Sequence, residues 1–220
     1  MSDRSSQLLQ RVGVIGDIHG EAKFLAIALK YLQAQKLDCL LCVGDIVDGR
    51  GNSDRCCQLL QQYRVWTVRG NHDRWLLGKE MRDLPDATQV TDISESSYHF
   101  LSNLPPTHAF LTVAGSLLLC HGIGDRDMVR LLPDDWGYAL ESNFELQDLI
   151  RSHQYNFVIN GHTHRRMVRK FEHLTIINAG TLKSTHHPCF AIVDFSLGWV
   201  QFFDLWENTE IQESNCFEIK

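Results

Sequence analysis

The sequence predicts an α/β fold, and two patterns carry that reading. Over residues 11–81 an apolar run, a polar loop and a helix-like segment recur three times, the signature of parallel βαβ units. From about residue 109 onward short apolar runs dominate, so the second half reads as mostly β.

The first run, Val12-Gly13-Val14-Ile15, ends in Gly16-Asp17-Ile18-His19-Gly20. The stretch EAKFLAIALKYLQAQ follows, with Phe24, Ile27, Ala28, Tyr31 and Leu32 at i, i+3, i+4, i+7 and i+8, one face of an amphipathic helix. Residues 39–43 form the second run, ending in Gly44-Asp45, with a helix expected over 53–62. The third, 65–68, runs into Arg69-Gly70-Asn71-His72-Asp73, and a short helix is expected over 74–81. Residues 109–113 and 116–120 flank Ala114-Gly115 as a hairpin, and 144–153 reads as a helix. Strands are expected at 157–160, 175–178, 190–195 and 199–205, and the acidic tail beyond Trp206 is expected to be partly disordered.

A chain of 220 residues with 44% hydrophobic content can bury a sizeable core, and one domain over 1–220 is expected. No run approaches the roughly 18 apolar residues of a membrane span, and the start, MSDRSSQLLQR, lacks the apolar stretch of a signal peptide. The expected compartment is the cytoplasm, with no membrane partner. Seven cysteines, an odd number set mostly in apolar runs or side by side, make a poor disulfide framework. Cys39 and Cys42 form a C-x-x-C, but inside a strand-like run, which favours core packing over a redox or zinc pair. A formal charge of −6 without a basic block argues against duplex nucleic acid.

Every polar cluster falls at the carboxyl end of an expected strand, where open α/β sheets bind ligands. These clusters are Asp17/His19, Asp45/Asp48, Asn71/His72, His121 and His162/His164. Singly, each could be a turn, a helix cap or a structural histidine. Five together at strand ends point to a site. Carboxylate with imidazole suits first-row ions such as Mn, Fe or Zn, whereas calcium favours an all-oxygen shell. His162 and His164 share a face of an extended chain and can reach one ion or two neighbouring ones. The candidates Asp17, His19, Asp45, Asn71, His121, His162 and His164 are too many for one catalytic ion and suit two, if one carboxylate bridges.

GDIHG, GDIVDG, GNHD, CHG and GHTH, in that order over residues 16–164, resemble the five motifs of the calcineurin-like metallophosphoesterase superfamily. The resemblance implies a four-layer α-β-β-α sandwich, two mixed sheets packed face to face with helices outside. It implies two divalent or trivalent transition-metal ions, one on Asp17, His19 and His164, the other on Asn71, His121 and His162, with Asp45 bridging. A hydroxide shared by the ions would attack a phosphomonoester or phosphodiester. By the same resemblance His72 would assist the leaving group as acid or stabilise phosphoryl charge. Asp48 would orient His72 and raise its pKa.

The branch is split. Protein phosphatases of this superfamily carry Arg directly after the second aspartate of GD-x-x-D, where this chain has Gly49, and Arg50 comes one position late. Asp73 stands where that branch has Glu, as in many phosphodiesterases, while VRGNH and the compact GDIHG resemble the phosphatase side. The substrate is accordingly a phosphorylated small molecule, a nucleotide or a phosphoprotein. Residues 122–143, with Arg126, Arg130, Trp136 and Tyr138, could hold a phosphate and stack a ring, or simply pack a helix. Arg50, Arg126 and Arg130 are the candidate substrate contacts. Asn178 and Thr181 support the site or form a plain turn, and His186-His187 is expected in an exposed loop. The competing functions are a non-catalytic scaffold with the same fold, and a nuclease.

Overall fold

Residues 8–206 and 210–219 are described by the computed structural model, and β1 (Arg11–Ile15) lies at its centre. In chain order β1 is followed by α1 (Ala22–Gln33), β2 (Cys39–Cys42), α2 (Ser53–Gln62), β3 (Trp66–Thr67) and α3 (Asn71–Gly78). β1, β2 and β3 pair in parallel, as the βαβ pattern predicts, with Ile15 opposite Cys42 and Cys42 opposite Thr67. This register brings Asp17 and Asp45 out of neighbouring strand ends. β9 (Cys189–Asp194), β10 (Trp199–Leu205) and β11 (Ile211–Glu218) complete this sheet antiparallel, in the order β11-β10-β9-β1-β2-β3.

The second sheet contains β4 (Thr107–Thr112), β5 (Gly115–Cys120), β6 (Phe157–Asn160), β7 (Met167–Phe171) and β8 (Leu174–Asn178), in the order β4-β5-β6-β8-β7. β5, β6 and β8 are parallel, so His121 and His162 follow adjacent strands. Between the sheets Val12, Val14, Leu41, Leu117, Leu119, Ile159, Ile177, Val193 and Phe202 form the inner core. On β1 the alternation is visible, because Val12 and Val14 face the other sheet while Ile15 joins the core under the helices. α1 buries Phe24, Leu25, Ala28, Leu29 and Leu32 on the outer face of the first sheet. α6 (Phe144–Ser152) buries Leu146 against Leu118, Val158 and Ile176 outside the second. The result is the expected four layers. No helix of the described residues is long and apolar enough to cross a membrane.

Three expectations are corrected. α3 starts at Asn71 instead of 74, because Asp73 accepts the Gly70 N–H at 3.0 Å and caps the helix before the motif ends. The helix closes at Gly78, where Lys79 turns left-handed at φ 58°. The tail beyond Trp206 contributes β11, an edge strand whose weak alternation hid it, and the following Ile219 is anchored in the inner core; 207–209 and 220 lie outside the described residues. α4 (Glu95–Ser102), α5 (Tyr138–Glu141) and β7 were not anticipated.

Candidate metal centre

All seven expected ligands meet at the edge where strands of both sheets end. Ligand atoms of Asp17, His19, Asp45 and His164 lie within 4.8 Å of one another, as do those of Asp45, His121 and His162. Asp45 belongs to both groups. Asn71 Oδ1 joins the second, 2.9 Å from His121 Nε2 and 3.0 Å from His162 Nδ1. Each group draws on both sheets.

The backbone is shaped for this convergence. His19, Asp45, Asp48, His162 and His164 have φ of 49°, 47°, 62°, 68° and 58°, left-handed values that cost a non-glycine residue on the order of 1 kcal/mol or more and concentrate at functional sites. Hydrogen bonds hold these turns. The amides of Ile18 and His19 both donate to Asp45 O at 2.9 Å, and His162 N–H donates to Asp17 Oδ1 at 3.2 Å. Gly161 permits that last approach, since a Cβ there would sit 2.3 Å from Asp17 Oδ1. Asp73 accepts the amides of Ile46 and Val47 at 2.9 and 3.3 Å, locking the GDIVDG loop onto α3. Burial raises the Asp73 pKa to about 6, with the nearby Asp45 charge adding to it.

The NAGT turn supports both metal-side loops. Asn178 donates to Gly161 O at 2.6 Å and to Thr163 Oγ1 at 3.2 Å, and Thr181 donates its hydroxyl to Asp17 O at 2.8 Å. Carbonyl groups also fix two imidazoles. His19 Nδ1 donates to Asp48 O and His121 Nδ1 to Val43 O, both at 2.8 Å, so in the neutral rings each Nε2 presents a lone pair inward.

That arrangement fits a cation. The His121 Nε2 lone pair would face Asn71 Oδ1 at 2.9 Å and Asp45 Oδ2 at 3.3 Å, an unfavourable meeting unless something positive lies between. His19 Nε2 and His164 Nε2 approach to 2.9 Å. Asp17 Oδ2 is buried 3.2 Å from His164 Nε2, with no hydrogen-bond partner among the described residues. With protons alone available, burial raises Asp17 to about 7 against the pull of His121. Burial works to lower His121, but Asp45 and Asp17 bring it up to about 10. Burial and the adjacent His19 push His164 down to about 3. Burial works to raise Asp45, yet His121 holds it well below the usual carboxylate range. Oxygen and imidazole donors in this combination suit first-row transition ions.

His72 stands beside the cluster. Its N–H donates to Asp45 Oδ1 at 2.9 Å, its ring meets the His19 ring edge-on at 4.9 Å, and its Nδ1 lies 2.8 Å from Asp48 Oδ2. Burial disfavours its charged form, but the hydrogen bond to Asp48 and the Asp45 charge outweigh that and raise its pKa. Burial likewise works to raise Asp48, and bonds from His72, Arg82 and Thr88 bring it below its ordinary value.

The three candidate substrate arginines are not drawn into the cluster. Arg50 is 88% exposed and 3.5 Å from Asp86, Arg126 is 68% exposed and 3.7 Å from Glu145, and Arg130 is exposed. Trp136 and Tyr138 are over 80% exposed, so they do not pack the following helix onto the sheet. The segment after His121 is instead tied to α3 by Arg74, which donates Nε and Nη2 to Asp127 at 2.7 and 3.2 Å. His186 is exposed as expected, yet its ring lies edge-on to His164 at 5.1 Å. Sequence reasoning missed Arg82 and Thr88; no motif marks them.

A carboxylate and imidazole cluster at the strand ends of a two-sheet α/β sandwich defines a fold with a candidate metal centre. Residues 11–198 match the calcineurin-like phosphoesterase superfamily domain, and the chain belongs to that superfamily. An uncharacterized protein of Methanocaldococcus jannaschii is 35% identical over 72 residues, 33% of this chain and only 30% of that protein. A metallophosphoesterase from Sphaerobacter thermophilus superposes with a TM-score of 0.68 at 18% identity, over 92% of this chain and 89% of that one. The phosphoesterase Yfce from E. coli gives 0.57 at 16%, over 96% and 100%. Vps29 of Chaetomium thermophilum gives 0.57 at 16%, over 95% and 98%. At these identities the structural likeness establishes the fold.

Proposed function

We propose that the protein hydrolyses phosphoesters at a two-ion centre, with Asp17, His19 and His164 on one ion, Asn71, His121 and His162 on the other, and Asp45 shared. The observation that carries this reading is the overlap of two ligand groups at one carboxylate, Asp45. Mn, Fe or Zn ions bound there supply Lewis acidity and acidify a water toward neutral pH. The chain's own residues supply the rest. Val43 O and Asp48 O keep His121 and His19 in the tautomer that offers Nε2. His72, its Nδ1 held 2.8 Å from Asp48 Oδ2, gives the proton on its Nε2 to the departing oxygen as the P–O bond breaks.

The substrate is a phosphorylated small molecule, a nucleotide or a phosphoprotein. Apoprotein reconstituted with Mn²⁺ and assayed on an aryl phosphomonoester and the corresponding diester tests the reading. Turnover of the monoester alone defines a phosphatase; turnover of the diester defines a phosphodiesterase. Silence on both with two ions bound would remove the reading in favour of a scaffold role.

A further inference from the structure

Asp48 is gripped from a part of the chain that no motif marks. Arg82 donates Nη1 to Asp48 Oδ1 at 2.8 Å and Nη2 to Asp48 Oδ2 at 2.7 Å, a bidentate pair, and Nη1 also donates to Thr88 O at 2.8 Å. Thr88 closes the grip. Its N–H donates to Asp48 Oδ1 at 2.9 Å, and its hydroxyl accepts the Asp48 N–H at 3.0 Å. Ser53 Oγ lies 2.9 Å from Thr88 Oγ1. The Arg82 side chain is 14% exposed and that of Asp48 only 3%, although most of the segment between α3 and α4 lies open to solvent. The buried polar groups of that segment thus converge on one carboxylate, whose own backbone is left-handed at φ 62°.

Position 49, directly after Asp48, admits no side chain. A Cβ there would meet His19 O at 1.8 Å, so no arginine can follow Asp48 directly. The guanidinium arrives instead from 34 residues downstream.

We propose that Arg82 is a positioning residue for the phosphoester reaction: it fixes the Asp48 carboxylate so that His72 keeps Nδ1–H on Asp48 and presents Nε2 to the leaving group. The proposal rests on the hydrolase reading above. In the step it serves, the P–O bond to the leaving group breaks, its electron pair stays on the departing oxygen, and the Nε2 proton moves to that oxygen. The imidazole is left neutral, with Nδ1 keeping its proton and donating it in a hydrogen bond to Asp48. Asp48 Oδ2 already accepts from both Arg82 and His72, and Oδ1 from Arg82 and Thr88, so the carboxylate cannot rotate without losing several charge-assisted bonds.

A purely structural role, fastening the segment between α3 and α4, makes different predictions. The test compares a 4-nitrophenyl phosphoester, whose phenolate departs without a proton, with an alkyl counterpart, whose alkoxide needs one. In metal-reconstituted protein, Arg82→Ala is expected to lose roughly 10–100-fold in kcat on the alkyl ester and about threefold or less on the nitrophenyl ester. KM and bound metal should not change, Arg82→Lys should fall between, and added guanidinium ion should restore part of the loss. Equal losses on both esters, or a loss that tracks metal content, would overturn the proposal. Nitrogen NMR of the His72 ring gives a readout independent of turnover. At a pH where Nε2 has lost its proton, the wild type should show a single tautomer protonated at Nδ1, and Arg82→Ala a mixture; an unchanged tautomer overturns the proposal. If Arg82→Ala does not fold, Arg82→Lys carries both measurements, with an intermediate loss on the alkyl ester expected and none overturning. A wild type silent on both esters would remove the hydrolase reading, while the ring spectrum would still decide whether Arg82 orients His72.

Discussion

At the scale of single residues, the centre is a set of side chains each placed by its own backbone turn. His162 and His164, two positions apart, do not share a face of an extended chain as expected, because both turn left-handed; His162 Nδ1 meets Asn71 while His164 Nε2 meets His19 and Asp17. An expected consequence is that His162→Ala and His164→Ala each lower bound metal from about two ions to about one per chain, with different ions lost. Metal analysis with spectroscopy of Co²⁺-substituted protein would separate the two; a single common defect would refute the division. These residues were legible because each lies just after an apolar run, within a motif of three to six positions. Arg82 and Thr88 were not. They reach Asp48 across 34 and 40 residues from a segment with no periodicity, and nothing local in a sequence encodes such a contact.

At the scale of elements, the three βαβ units were legible because helix and strand periods differ so clearly there, and α2 matches its expected span residue for residue. α3 was displaced because its cap, Asp73, sits inside the motif and serves the GDIVDG loop as well. β11 escaped because backbone pairing with β10, more than side-chain alternation, holds it. α4 is docked by Asp54 of α2, whose carboxylate accepts the Ser94 N–H at 2.8 Å and hydroxyl at 2.7 Å. Slight burial works to raise the Asp54 pKa, and hydrogen bonds from Ser97, Ser94 and Gln58 outweigh it, so the folded value lies below the unfolded one. The contribution is therefore complete above the unfolded pKa of about 4 and is lost as pH falls through the folded value. Asp54→Asn should cost about 1 kcal/mol at pH 7, and the difference from wild type should shrink below pH ~4. Urea midpoints at several pH values measure this, and a gap that widens on acidification would contradict it.

At the scale of the whole molecule, two sheets stack with their ligand-bearing strand ends at one edge, and the four-layer plan was expected once the ordered motifs had been read. Asp17, His19, Asp45 and Asn71 leave the six-stranded sheet, while His121, His162 and His164 leave the five-stranded one. An ion held by either ligand group would therefore touch both layers, which would link its affinity to their docking. Binding free energy would become cohesion between the sheets, in addition to the apolar contacts of Val12, Leu119 and Phe202. Chelation should lower Tm by about 5–10 °C relative to protein with free metal at roughly a hundredfold its Kd. A melting temperature indifferent to chelator would break that linkage. Ions held there would turn the side chains that ready the chemistry into bolts between the two halves of the sandwich.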